Sequence, residues 1–507
     1  MNVQAEHLNK QPTLADLLQG FADAPAIPVS GIASDSRLLA AGDLFLACGG
    51  ENSHGSDFIE DAISAGVCAI AWDSATAPPP SVDADIPLIP VAGLGEQLGE
   101  ISSRFYGCPS ETLHVIGVTG TNGKTTVAWL IAQCLERLGR SCGYIGTLGS
   151  GVGEIDGSDG MTTPTAVEVH GLFAGFHDQG ATYAAIEVSS HALAQNRVDG
   201  VHFGTVLFTN LSRDHLDYHS DMSSYAETKA RLFLDCNPEH RIINLDSGFG
   251  SELAARCGQN VITVSTNIDR VTNGRRYVFV RSVVANEHGS HISVRSSWGD
   301  TDLLLPLPGD FNVANAVIVL ALLLDQGVAL EEASAALSAV SAPPGRMQRV
   351  ASSADLPAVY VDYAHTPDAI EAALRALRTH CKGNLWCVFG CGGDRDAGKR
   401  PQMGHAAERL ADHVVITNDN PRSESVDAII LDIVNGMSNA DAATIIEDRA
   451  AAIAWTIAAA APTDVVLIAG KGHEDYQLIG DQSRDFSDFA AASANLAVRA
   501  AKTDVSE

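Results

Sequence analysis

The run GVTGTNGKTTVAWLI, Gly117 to Ile131, sets glycines, a lysine and threonines between an apolar stretch and a helical one. Glycines let backbone N–H groups close on phosphate oxygens, and a helix that follows adds its positive end. Lys124 can then reach the outer phosphates of a nucleotide, while the Thr125 hydroxyl suits magnesium. The spacing departs from Walker A, because counting back from Gly123-Lys124-Thr125 puts Val118 where the first glycine should stand. The loop from Gly120 through Thr121, Asn122, Gly123, Lys124 and Thr125 to Thr126 is therefore read as phosphate-binding with a spacing of its own. No Asn-Lys-x-Asp guanine reader follows it, and no strand ends in a plain Walker B aspartate. Instead IEVSSHAL offers Glu187, and TNLSRDHLDYH offers His215, as strand-end groups that could face a metal. Magnesium prefers oxygen, which puts Glu187 ahead; His215 by itself reads equally well as a capping or structural residue.

These groups need a scaffold, and the pattern around them supplies one. HVIGVTG is a short apolar run ending in glycines, followed by a helix expected over Thr125–Leu138. YAAIEVSS, GTVLFTNLS and RIINLDS are further apolar runs with polar residues at their C-terminal ends. After Arg346 the pattern restarts with AVYVDYAHTPD, LWCVFGCGGD, DHVVITNDNPR and DVVLIAGKGHE. Continuous apolar strands alternating with helices predict parallel sheets covered on both faces, with ligands beyond the strands' carboxyl ends. APPPS, Ala77–Ser81, reads as a loop; SAPPGR, Ser341–Arg346, reads as a domain boundary, and Pro109 as the end of a helix near another. The expected fold is α/β in three domains: a small N-terminal α/β domain over 1–110, a central P-loop-type α/β domain over 111–342, and a C-terminal Rossmann-like domain over 343–507.

Composition narrows the partners. A chain of 507 residues, 46% apolar, has length for roughly three domains with real cores. The formal charge of −30 disfavours nucleic acid and anionic membranes, yet leaves room for a small anionic ligand where Lys and Arg gather. The longest apolar run, Ala316–Leu324, is far short of the roughly 20 residues that span a bilayer, and is expected to be a buried helix. Ten cysteines show no C-x-x-C pair, which favours free thiols in a reducing cytoplasm over a zinc or disulfide framework. The opening MNVQAEHLNKQ has neither the basic start nor the apolar stretch of a signal sequence.

GVTGTNGKTT, EVSSHAL, TNLSRDHLDYH, LPGDFNVANA, PPGRMQ, VDYAHTPD, GCGGDRDAGKRP, TNDNPRSE and AGKGHEDYQ occur in one order along the chain. That set resembles the Mur ligases of peptidoglycan synthesis, from about Ser34 to Gln477, and most closely their tripeptide-forming branch. The resemblance implies ATP-dependent amide formation, in which a UDP-MurNAc-dipeptide carboxylate is phosphorylated and a diamino acid's amine displaces the phosphate. It implies two magnesium ions and small-molecule partners only: ATP, the UDP-MurNAc-dipeptide and the amino acid; a monomer is the default expectation. For ATP it implies the phosphate loop with Asn312, Asn315, Arg346 and Asp362, in a cleft that closes between domains. For the UDP-sugar peptide it implies Ser34, Ser36, Glu51, Asn52, Ser53, Thr162, Thr163, Ser189, Gln195 and Arg197. Lys229, which read alone is one helix-surface lysine among several, matches the family's carbamylated lysine. As a carbamate it would be an anionic metal ligand beside Thr125, Glu187 and His215, and with Lys124, Glu187 and His215 it completes the implied catalytic set.

The amino acid is indicated by NDNPRSE. In the resembled family Asp419, Asn420, Pro421 and Arg422 accompany meso-diaminopimelate, and lysine-adding relatives lack the arginine. The chemistry agrees, since diaminopimelate is lysine with a second carboxylate and a guanidinium grips a carboxylate in a fork of parallel hydrogen bonds. Arg395, Gly470 and Glu474 would complete that site, with Glu474 pairing an ammonium. Met161 stands where relatives often carry Asn, Gln348 where Glu is usual, and SDSR differs slightly in its first residue. Two rival readings stay open at this point: a sibling ligase, lysine-adding or folylpolyglutamate synthetase-like, and a nucleotide switch that makes no product.

Overall fold

The computed structural model describes residues 11–50, 53–82, 85–157, 160–215, 218–270, 275–286, 289–350 and 355–504. Two compact units divide the chain, Met1–Thr263 with Thr272–Arg275, and Val264–Val271 with Arg276–Glu507.

Unit 1 holds two sheets. The smaller runs Ile32–Ala33, Leu44–Ala47, Ala69–Asp73 and Leu88–Val91 in that order, every neighbour parallel. Its core gathers Leu14, Leu44, Leu46, Ile89 and Ile101, and Val167 from a later helix packs into the same cluster. The larger sheet of this unit orders His240–Asn244, Phe203–Phe208, His114–Thr119, Tyr183–Glu187 and Cys142–Gly146, all parallel, with Gly149–Val152 antiparallel at its edge. The central strands His114–Thr119 and Phe203–Phe208 are buried along nearly their whole length, as their apolar runs predict for a sheet covered on both faces. Register matters here: Val118 pairs with Glu187 and Thr119 with Phe208, so the phosphate loop leaves the sheet beside Glu187.

Unit 2 opens on an antiparallel ribbon, Arg276–Asn286, Gly289–Ser296 and Gly299–Leu305. Sequence reading finds no strands there; Gly289–Ser296 alternates buried with exposed residues instead of forming an apolar run. The helix Asp310–Asp325 follows and is buried along Ala316–Leu324, as expected. A six-stranded sheet then orders Gln348–Val350, Ala358–Asp362, Val465–Ala469, Leu385–Phe389, His413–Ile416 and Ala443–Ile445, parallel except for the first strand. Asp362, Ala469 and Phe389 lie in register, so three strand ends open side by side.

Two local expectations shift. The loop helix starts at Lys124 and ends at Arg137. The helix before Pro109 ends at Phe105, and Pro109 instead opens a 3₁₀ turn, a place where its missing N–H costs nothing. Ala77–Ser81 is irregular, as its prolines require.

Candidate active site

The phosphate loop is shaped by glycine and clamped by a neighbouring strand end. Gly120 has φ 149°, and a Cβ there would lie 1.9 Å from Thr209 Oγ1. Asn122 is held through its N–H to Asn210 Oδ1 at 3.0 Å and through its carbonyl, which accepts from Thr209 Oγ1 at 2.6 Å. Thr121 accepts from the Ser212 N–H at 3.0 Å and lies 3.2 Å from the Tyr225 hydroxyl. Thr209 and Asn210 were not singled out in the sequence; only their place after an apolar strand marks them. Lys124 folds back, its Nζ donating to the carbonyls of Gly120 at 3.0 Å and Thr121 at 2.8 Å. Thr126 is buried in the first turn of the helix.

Lys229 meets the same loop from the helix Met222–Leu234. Its Nζ donates to Gly120 O at 2.9 Å and sits 4.6 Å from the centre of the Tyr225 ring, with 1% of the residue exposed. Burial first, and the Lys124 charge second, hold its amine well below the usual lysine range. The same burial pushes the Tyr225 phenol up to about 12. Glu187 is fully buried and fully engaged: Oε2 accepts from Thr125 Oγ1 at 2.9 Å, and Oε1 from Tyr144 OH at 2.7 Å and Thr147 N at 2.9 Å. Tyr144 and Thr147 were not anticipated, because nothing in their local sequence points at a strand-end carboxylate. His215 has φ 53° and lies 3.5 Å from Asp214 Oδ2, its ring 4.9 Å from that of His191. A buried carboxylate, a hydroxyl and a lysine that carbon dioxide could convert to an oxygen ligand are donors that suit magnesium; an ammonium would not.

The expected sugar-peptide residues of the larger sheet come together. Thr163 Oγ1 donates to Glu187 O at 2.7 Å and accepts from the Ser189 N–H at 3.1 Å. Arg197 donates to Thr163 O at 2.8 Å and forks onto Gln195 Oε1, with Nε at 2.8 Å. Met161 receives the same guanidinium on sulfur at 3.4 Å, so it replaces a polar contact with a soft one. Thr162 lies 3.2 Å from Thr147, Oγ1 to Oγ1. A cavity of about 340 Å³ opens beside them, lined in part by Gly146, Met161, Pro164 and Glu168. Ser34 and Ser36 flank Asp35, whose carboxylate caps a turn at Arg37 N. Ser53 closes a turn through its carbonyl to Gly50 N, while Glu51 and Asn52 lie outside the described residues.

Unit 2 carries the remaining expected nucleotide residues. Asn312 and Asn315 are buried on one helix, Asn315 Nδ2 donating to Asn312 Oδ1 at 3.4 Å. Asp362 accepts from Met347 N at 2.7 Å and Ala364 N at 2.9 Å, and burial raises its pKa against the nearby Arg346 charge. Arg346 lies 4.8 Å from the centre of the Tyr363 ring, and its Nε is buried with no partner among the described residues. Gln348 Oε1 accepts from Gly345 N at 2.8 Å, a contact that Glu would make equally.

The expected amino-acid residues gather at the other strand ends of this unit. Arg422 has φ 52° and donates from Nη1 to Gly393 O at 2.8 Å. Its turn is fixed by Asp394, which accepts from Ser423 N at 3.1 Å and Ser423 Oγ at 2.7 Å. Arg422 and Arg395 both lie beside Gly392. Pro421 and Asn420 are buried, and Asn420 Nδ2 donates to Glu474 Oε2 at 2.9 Å. Gly470 stands against Asp419, whose pKa burial raises. The ring is tied underneath by Arg449, fully buried, which forks onto Asp488 at 2.7 Å through Nε and donates to Asn418 O and Ala469 O.

Residues 28–106 match the profile of the Mur ligase family, catalytic domain, residues 118–323 that of the Mur ligase middle domain, and residues 345–472 that of the Mur ligase, glutamate ligase domain. The UDP-N-acetylmuramoyl-L-alanyl-D-glutamate–2,6-diaminopimelate ligase of Pseudomonas syringae pv. tomato is 45% identical over 472 residues, 93% of this chain and 95% of that one. A solved structure of a ligase with the same name superposes with a TM-score of 0.72 at 30% identity, covering 97% of this chain and 100% of the other. The MurF ligase of Thermotoga maritima, solved in complex with ADP, shares the fold at 16% identity with a TM-score of 0.62, over 92% of this chain and 98% of that one.

Proposed function

Because the chain belongs to the Mur ligase family, we propose a division of its reaction between the two units' sites. The protein is an ATP-dependent ligase that adds meso-diaminopimelate to the D-glutamyl carboxylate of UDP-MurNAc-L-Ala-D-Glu in peptidoglycan precursor synthesis. A carboxylate is a poor acylating agent until its oxygen can leave. Transfer of the γ-phosphoryl group to that oxygen gives an acyl phosphate and ADP; the amine then displaces phosphate.

In our reading the loop Gly120–Thr126 cradles the triphosphate, and Lys124 leaves its two carbonyls to stabilise charge on the transferring group. Asn312, Asn315, Arg346 and Asp362 serve the rest of the nucleotide. Magnesium, when bound, would be held by Thr125, Glu187, His215 and a carbamylated Lys229, and would offset the repulsion between triphosphate and acceptor carboxylate. Glu187 orients Thr125 through their hydrogen bond. Ser34, Ser36 and Ser53, with Glu51 and Asn52, take the uridine end, and Thr162, Thr163, Ser189, Gln195 and Arg197 the sugar peptide. Arg395, Asn420 and Arg422 take the far carboxylate of diaminopimelate, while Asp419, Gly470 and Glu474 take its ammonium. We take the domains as 1–110, 111–342 and 343–507, and the working form as a cytoplasmic monomer.

The observation that carries the choice of amino acid is the Arg422 guanidinium at Gly392, since lysine has no second carboxylate to engage it. Supplying ATP, the UDP-dipeptide and a panel of diaminopimelate, lysine and ornithine, and following phosphate release, tests it. Diaminopimelate should support turnover about 10⁴-fold better than lysine, the scale on which a site built for a polar group rejects an analogue lacking it. Equal turnover with lysine would overturn the assignment.

A further inference from the structure

Within GKGHE, the expected site residues Gly470 and Glu474 flank a lysine that the family comparison leaves without a role. Lys471 is fully buried, which an ammonium tolerates only when paired and hydrogen-bonded. Its Nζ donates to Glu474 Oε2 at 2.9 Å and to Asn420 Oδ1 at 3.1 Å, and lies 5.4 Å from the centre of the Tyr476 ring. Asn420 closes the triangle by donating to the same Glu474 Oε2 at 2.9 Å. Its Oδ1 also accepts from Leu478 N at 3.0 Å, which fixes the amide's orientation. One oxygen of Glu474 thus receives two donors, while Oε1 receives none from the described residues, and 19% of the side chain remains exposed.

The carboxylates of Asp419, Glu474 and Asp488 share the cluster with Arg449 and Lys471, and Arg346 and Arg422 act on the same neighbourhood. The Glu474 oxygen that takes no donor from the described residues is where a cation brought by a substrate would pair.

We propose that Lys471 is a positioning residue for amino-acid selection: it pins Glu474 to Asn420 so that Oε1 stays free for the ammonium of the incoming diamino acid. The inference rests on the reading of Glu474 given under Proposed function. A salt bridge three residues apart on a surface would be worth little; here the pair is withdrawn from water, so removing its cation leaves the carboxylate free to turn and costly to keep charged.

The test is steady-state kinetics on the full chain. Lys471→Met should raise KM for diaminopimelate about 10- to 100-fold, with kcat and KM for ATP within about twofold. Lys471→Gln, which keeps a donor, should recover part of the loss, and it takes the place of Lys471→Met should that variant fail to fold. Glu474→Gln should also raise KM for diaminopimelate, and adding Lys471→Met to it should change KM by less than about twofold, because the interaction it supports is already gone. Additive losses, or equal rises in KM for ATP and diaminopimelate, would overturn the proposal. A Glu474→Gln variant with unchanged KM would instead overturn the reading of Glu474 itself.

Discussion

Lys229 differs from a surface lysine in having almost no water to share its charge, and in facing a second ammonium across the Gly120 carbonyl. Both conditions favour the neutral amine, the form that adds carbon dioxide. Lys229→Ala should lower turnover by at least about 100-fold, the scale of losing a group that acts on the transition state. Added formate or acetate should restore part of it by supplying the missing oxygen ligand, and phosphate release with and without the acid checks this. No recovery across a range of acids would count against a carbamate. At this scale the sequence is readable where a motif is contiguous: Gly120 to Thr126 stand together in one loop, and Asn420 to Arg422 in one turn. It is silent where chemistry comes from burial. Nothing adjacent to Lys229 in the chain marks it as desolvated, and the partners of Glu187, Tyr144 and Thr147, arrive from a neighbouring strand and the turn after it.

Arg449 works on whole elements. From the first turn of the helix Arg449–Ala459 it ties the ends of His413–Ile416 and Val465–Ala469 to Asp488, the start of the last helix. Arg449→Met should cost about 3–5 kcal/mol, since it leaves Asp488 buried without its cation, and urea unfolding measured on both proteins would show it. An effect below about 1 kcal/mol would mean that the strand ends are held by other contacts. The strands themselves were legible, because covering both faces of a parallel sheet demands unbroken apolar runs such as Leu385–Phe389 and Val465–Ala469. The ribbon Arg276–Leu305 was not: in Gly289–Ser296 buried and exposed residues alternate, and in Arg276–Asn286 the polar pair Arg281-Ser282 breaks the apolar run.

At the scale of the molecule, the three-domain α/β organisation follows from the repeated strand–turn–helix pattern, whereas the packing of one sheet's helices on the next does not. In unit 1 the helix Leu94–Phe105 crosses the larger sheet's loops at Gly99, where a Cβ would lie 2.0 Å from the Asp199 carbonyl oxygen. A Cβ on Gly200 would in turn lie 2.7 Å from the Gly99 carbonyl. Gly99→Leu should force the helix outward and raise KM for the UDP-dipeptide about 10-fold while leaving KM for ATP near its starting value, which initial-rate measurements would separate; unchanged kinetics would show the contact to be dispensable. Backbone resting on backbone leaves no soft side chain to yield at this contact. With the uridine end seated on the smaller sheet, as proposed, such a fixture would act as a ruler: an acceptor would present its free acid at the loop only when the peptide between them has the right number of links.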